Sequence, residues 1–392
     1  MIHNGNIASV SWGDHLIFGE GDGRLSSLEA LRNRMKKWRK QLGVSSIHWR
    51  QNRSILEGHL FAAPGFKNTI EKIKEITWDD FEFAPKVAHD EGIKANLYVS
   101  IFDEGWPLPP KEVREVSYHN SMHCQHTSWQ SDFSSKHPEF TVVDKTGKNK
   151  QWGVLCLAYP QVRKYFIDKF LNLLNGYEFD GLFVCLRSQS RPADFGDQYN
   201  FNEPIREEFQ RRHSNDILKD DFDLQAWQDL VGEYLTLFLS ELRNELKKIS
   251  VQLSIGVPRG DIIGPPMGNF SLHWRDWIQK NLIDELIINQ NSSQCPSMWH
   301  QLWPMHRGTG YTQNYLNEYN LPPLLEHIDK SYFPYIKGSD VKLYVARQWN
   351  ELSPKQESEI LDHPAVSGLV FSSFRFDNSR TIVHGDWKAI RE

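Results

Sequence analysis

Carboxylates are the most plentiful candidates for chemistry in this sequence, and several recur just beyond short apolar runs. Asp103 and Glu104 stand in Asp103–Glu104–Gly105–Trp106 directly after one run. Asp197 and Glu203 share a long segment after the next, and Glu351 follows a later one. Two carboxyl groups in different environments can serve as a proton donor and as an ionised base or nucleophile, which is acid–base chemistry on a polar substrate. Asp103–Glu104 has the more secure position, with a solvated turn as the competing reading. Glu203 precedes Pro204, so Asn202 or Glu203 also reads as the cap of a helix that starts at the proline. Asp180, in Phe179–Asp180–Gly181, precedes its run and reads as a cap or turn.

Planar and amide side chains accompany these acids. Arg187 and Arg191 follow one run, Asn289 and Gln290 end another, and Arg347 and Gln348 end a third. Guanidinium and amide groups suit a hydroxyl-rich or otherwise polar ligand. Aromatic residues make up 12% of the chain, with 14 Trp and 13 Tyr, so not all of them need be core. Trp12, His15, Trp49, Arg50, Trp106 and Trp303 fall near run ends or in long segments, where side chains have little core to fill. Some of that set are expected to form flat platforms for a ligand. His119, His123, Cys124 and His126 resemble a metal cluster only in part. His119 and His123 have helical spacing, but the segment does not read as a helix and lacks a completing carboxylate, so surface histidines and no bound metal are expected. No GxSxG elbow, phosphate-binding GxxxxGK[ST] or GxGxxG after a strand is found, so no cofactor is expected.

Eight runs are short, continuous and rich in β-branched or aromatic residues, as for strands covered on both faces. They are Ile7–Trp12, Ser46–Arg50, Ala95–Phe102, Gly181–Leu186, Val251–Val257, Glu285–Asn289, Lys342–Arg347 and Gly368–Phe374. Between them, Leu25–Leu42, Gln161–Leu174, Leu224–Ile249, Asp276–Leu282 and Pro354–Leu361 carry apolar residues at helical spacing. Eight strand–helix alternations predict one (β/α)8 barrel domain over residues 1–392, since such barrels run to ~250 residues and beyond. Surplus length falls after the third, fourth and sixth strands, in Asp103–Gly153, Arg187–Phe222 and Gln290–Asp340. Loops after strand C-termini build the functional face of this fold.

The whole chain has 392 residues and a formal charge of −5, without the basic excess of a nucleic-acid binder. No apolar run approaches ~18 residues, so no membrane partner is expected. The first residues lack the basic and apolar regions of a secretory signal. Cys124, Cys156, Cys185 and Cys295 are widely spaced and predict free thiols in a reducing compartment. The expectation is a cytoplasmic protein, and the oligomeric state is open.

The segment Trp152–Ile217 resembles the glycosyl-hydrolase-10-like proteins, TIM barrels held to act on carbohydrates. Matching pieces are His137–Pro138–Glu139 with Asp144 and Gly147, then AYPQVRKY at Ala158–Tyr165, YEFDGL at Tyr177–Leu182, and Phe201–Pro204 followed by Glu208, Phe209 and Arg212. Looser agreement extends the resemblance over about Trp12 to Phe374. It implies a TIM barrel cleaving glycosidic bonds of an oligo- or polysaccharide, with carboxyl groups ~5–5.5 Å apart for retention or ~6.5–9.5 Å for inversion. Asn202–Glu203–Pro204 is similar to the tripeptide carrying the acid/base of many retaining barrels, and Glu351 falls in the region of their nucleophile. Glu104 or Asp103, Glu203 and Glu351 are the catalytic candidates. The aromatic, guanidinium and amide residues named above, together with Asp197, are the substrate-binding ones. One departure stands out: where many relatives carry an acid within the fourth strand, this chain has Cys185 or a neighbour. That favours one alternative, a carbohydrate-binding barrel without catalysis; a second alternative is another barrel hydrolase or lyase acting on a polar substrate.

Overall fold

A computed structural model of the chain describes residues 4–18, 21–51, 61–62, 76, 78–105, 107, 127–128, 130–186, 197–264, 270–290, 321–347 and 353–373. The strands in chain order are β1 (Asn6–Val10), β2 (Val44–Arg50), β3 (Phe61–Ala62), β4 (Lys94–Ser100), β5 (Thr127–Ser128), β6 (Thr141–Val143), β7 (Lys150–Leu155), β8 (Gly181–Cys185), β9 (Gln252–Gly256), β10 (Glu285–Ile288), β11 (Lys342–Arg347) and β12 (Val366–Ser372). Eight of them close into a parallel barrel in the order β1-β12-β11-β10-β9-β8-β4-β2, so β4 and β11 stand on opposite walls. The remaining four form two small antiparallel pairs, β3 with β5 and β6 with β7. The (β/α)8 barrel predicted from the eight runs is the observed fold.

Helices cover the barrel: α1 (Trp12–Phe18), α2 (Leu28–Leu42), α3 (Asp80–Asp90), α4 (Asp132–Lys136), α5 (Pro160–Gly176), α6 (Glu203–His213), α7 (Leu224–Lys248), α8 (Trp274–Gln279), α9 (Leu324–His327), α10 (Phe333–Ile336) and α11 (Pro354–Leu361). Local chemistry sets their ends. Ser27 caps α2 by accepting from the Ala30 N–H, and Gly43 closes it at φ 62°. Between the caps Leu31, Met35 and Trp38 form the buried stripe. Asp223 caps α7 through the N–H groups of Gln225 and Ala226. Ser353 and Gln356 make a reciprocal capping box on α11.

Most barrel-strand residues are buried on both faces, because two cores need filling, although Ser46, His48 and Arg50 make the inner side of β2 polar. The larger core lies between barrel and helices and holds Trp38, Trp49, Phe166, Trp227 and Trp277. The smaller one fills the barrel itself with Ile7, Tyr98, Phe183, Cys185, Ile287, Tyr344, Ala346 and Val370. Alternation of side chains along each strand decides which core a residue joins.

Three features differ from the sequence reading. Trp12 opens α1 instead of ending the first strand, which stops at Val10. Helix α3 was not foreseen, because Pro85 interrupts the pattern inside it; Asp79 nonetheless caps it through Phe81 and Glu82. The surplus after the third barrel strand contains the β6–β7 hairpin, where only loop was expected.

Candidate active site at the barrel mouth

Arg50 is the last residue of β2 and pairs in register with Tyr98 of β4, both aimed into the barrel. Its guanidinium carbon lies 5.6 Å from the Tyr98 ring centre, within cation–π range. Past the end of β4, Asp103 turns back toward it, with Arg50 Nη2 3.3 Å from Asp103 Oδ2. Both side chains are nearly closed off, at 10% and 9% exposure. Asp103 Oδ1 has no hydrogen-bond partner among the described residues. Burial pushes the Asp103 carboxyl up to about 6 and prevails over the attraction of Arg50, while neighbouring Glu104 adds repulsion. A carboxyl titrating there can hold or release a proton near neutrality.

A polar row continues across the top of the lumen. The Tyr98 hydroxyl donates to Cys185 Sγ at 3.2 Å, and the Cys185 thiol donates to Gln290 Oε1 at 3.3 Å. Gly256 makes this possible, since a Cβ there would collide with the Gln290 side chain and the Phe183 ring. Asn289, at φ 61°, donates from Nδ2 to the Ala346 carbonyl at 3.0 Å and ties β10 to β11. Two residues deeper than Arg50, His48 stacks on Phe183 with ring centres 4.1 Å apart. Its two ring nitrogens are buried without partners among the described residues. Burial holds this imidazole neutral, its pKa pushed down to about 3.

Glu104 points the other way. Its Oε1 accepts from Lys169 Nζ and its Oε2 from the Tyr165 hydroxyl, both at 2.8 Å, and the residue is 1% exposed. Lys169 and Tyr165 belong to α5, outside the barrel. The Glu104 backbone also bonds Gly153 and Ser131, so the residue latches the β4 loop to the helix layer. Consecutive residues face opposite sides, and that leaves Asp103 the member of the pair that turns to Arg50 at the barrel mouth.

Among the described residues, the other expected positions lie apart from this row. Trp12 and Trp49 are core side chains and not exposed platforms: Trp12 donates to the Leu25 carbonyl, and Trp49 donates to Asp80 Oδ2 at 2.7 Å. His15 is equally buried between the Gly23 carbonyl and Ser373 Oγ. Arg347 leaves the lumen to Ala346 and pairs with Glu357 of α11. Glu203 is exposed at the first turn of α6, where Asn202 makes no side-chain cap. Asp197 is half-buried, its pKa raised by burial, with Oδ1 unpartnered among the described residues. Glu351, Trp106, Arg187, Arg191, Trp303 and Gln348, with the histidine-rich 119–126, lie outside the described residues. Among the described residues no group of three His, Cys, Asp or Glu could hold a metal.

Sequence reading missed Tyr98, His48 and Lys169. The first two share strand parity with their neighbours in the lumen, which is the signal that could have flagged them; the third lies four residues after Tyr165 on one helix face, and that spacing is its only signal.

A closed parallel barrel with a buried acid–guanidinium pair at its C-terminal mouth is a fold that hosts many chemistries. No family model matches the chain, and no curated protein does either. Among solved structures, the catalytic domain of the β-amylase of Paenibacillus polymyxa is similar at 12% identity, covering 95% of this chain and 93% of that one, with a TM-score of 0.52. The PgaB (BpsB) glycoside hydrolase domain of Bordetella bronchiseptica is 11% identical over 100% and 98% of the two chains, TM-score 0.47. An α-amylase of Lactobacillus plantarum is 14% identical over 94% and 70%, TM-score 0.45. At 12% identity the likeness to the β-amylase domain is one of fold alone. Among the described residues no helix is long and apolar enough to cross a membrane.

Proposed function

We propose that this protein is a glycoside hydrolase that cleaves a glycosidic bond of an oligo- or polysaccharide at the barrel mouth. The observation that carries this reading is the state of Asp103: one oxygen on Arg50, the other unpartnered, and a pKa raised by burial to about 6. In this reading protonated Asp103 gives its proton to the glycosidic oxygen as the C–O bond breaks. Arg50 then steadies the carboxylate that remains. A second carboxylate, ionised, attacks the anomeric carbon or draws a proton from water. Glu351 is our choice for it, since it follows β11 in the chain and β11 stands on the wall opposite β4. Fold likeness to carbohydrate-active barrels agrees with the reading but does not carry it.

One observation favours the non-catalytic alternative. The end of β8 holds Cys185, buried between Tyr98 and Gln290, where an acid would otherwise reach the mouth. Incubation with a panel of α- and β-linked glycans separates the two readings. Release of reducing ends that disappears in Asp103→Asn supports hydrolysis; glycan binding without release supports a lectin-like barrel.

A further inference from the structure

Three separate pieces of the chain converge on one open pocket of about 190 Å³ beside α6. Glu139, Asp144 with Gly147, and Asn202 with Glu203 all line it, joined by Tyr159 from the start of α5. Arg50, Tyr98, Asp103 and Gln290 do not. The walls are fixed from beneath. Asn202, 2% exposed, donates to the Thr141 carbonyl at 3.0 Å and accepts from the Val143 N–H at 3.2 Å. Asp144 spends its carboxylate on the turn, accepting from Thr146 Oγ1 at 2.8 Å and from Asn149 Nδ2 at 2.6 Å.

The charges round this pocket define what can enter. Glu139 and Glu203 are exposed carboxylates, while Lys145 and Arg206 are cations on the same wall. Arg206 Nε is shielded from water and has no partner among the described residues. The N-termini of α5 and α6 also meet here, and neither has a side-chain cap. An anion is opposed by the two glutamates, and a cation by Lys145, Arg206 and the positive helix ends. A neutral hydroxyl-rich molecule is opposed by neither. Each hydroxyl donates one hydrogen bond and accepts up to two, which matches a wall of mixed acceptors and donors. Tyr159 lines the pocket and its ring packs against Phe140, with ring centres 4.9 Å apart.

We propose that this pocket binds one neutral sugar residue, as a site separate from the Arg50–Asp103 pair. It shares the carbohydrate class with the hydrolase reading but does not require catalysis at the mouth.

Saturation-transfer difference NMR on the full chain with glucose, galactose or N-acetylglucosamine at millimolar concentration tests it, with inorganic phosphate as competitor. Transfer to at least one sugar is expected, weakened at least tenfold in Glu139→Ala and Arg206→Ala and kept in Asp103→Asn. Glu139 is 58% exposed, so its variant tests the site without threatening the fold. The proposal is overturned by absence of transfer from all three sugars, by displacement with phosphate, or by transfer that survives both pocket variants. Sugar binding that follows the pocket variants while no glycan is hydrolysed upholds this site and removes only the hydrolase reading.

Discussion

Arg50 and Asp103 meet 3.3 Å apart between two neighbouring barrel strands, and the arginine engages only one of the two carboxylate oxygens. The pair is buried deeply enough that desolvation outweighs the attraction, so the carboxyl titrates higher than an exposed aspartate would. A carboxyl that keeps its proton more tightly is thereby held at some cost to the fold.

That cost gives the first test. Asp103 is raised from 3.8 to about 6, so the folded state holds the proton more tightly than the unfolded one. Stability from this group is therefore greatest below about pH 4, falls as pH rises to 6, and stays low above it. At about 1.4 kcal/mol per pKa unit the loss amounts to ~3 kcal/mol. Asp103→Asn is expected to be more stable than the natural protein at pH 7 by up to that amount, read from urea midpoints.

His48 works with the opposite sign. Its pKa is depressed from 6.5 to about 3, so the unfolded chain gains a proton first as the medium is acidified. Stability from this imidazole is complete above pH 6.5 and is lost toward pH 3. Between about pH 4 and 6 the two contributions oppose each other with similar slopes of ~1.4 kcal/mol per pH unit. Removing Asp103 uncovers the histidine: Asp103→Asn should lose stability steeply over that range, and an added His48→Leu change should flatten it. Urea titrations at half-unit pH steps decide, and parallel curves for all three proteins would contradict the assignment.

The Glu104–Lys169 latch is a buried pair seen from one side, with Glu104 at 1% and the lysine at 20% exposure. Lys169→Met strands the carboxylate and is expected to cost roughly 3–5 kcal/mol. Glu104→Gln in the same chain should restore part of it. A double-mutant cycle by chemical denaturation measures the coupling, and an additive result would show that the latch holds nothing.

All eight barrel strands were legible within about two residues, because a strand buried on both faces reads as a continuous apolar run. That same continuity hid which parity faces the lumen. Trp49 and Arg50 are adjacent, yet Trp49 joins the outer core and Arg50 the mouth. Ala346 and Arg347 divide likewise, as do Asp103 and Glu104 around the β4 loop. Residue type alone could not say which of each pair faces the lumen or mouth. Helix α3 was lost to Pro85, an interior proline that its Asp79 cap and buried face accommodate.

Trp49 offers a test of that division. Its indole donates to buried Asp80, so Trp49→Phe removes one hydrogen bond and leaves a buried carboxyl oxygen without it, which should cost about 1–3 kcal/mol. KM for any cleaved glycan should not move. A raised KM with unchanged stability would return Trp49 to the binding surface.

The most direct test of Asp103 as proton donor compares a natural glycan with an activated aryl glycoside across pH. With the glycan, kcat/KM should fall as pH rises through about 6, and Asp103→Asn should lose ~10²-fold or more. The aryl substrate, whose leaving group needs little protonation, should suffer far less. Equal rates for the two proteins on the glycan, or equal losses on both substrates, would contradict the role assigned to Asp103.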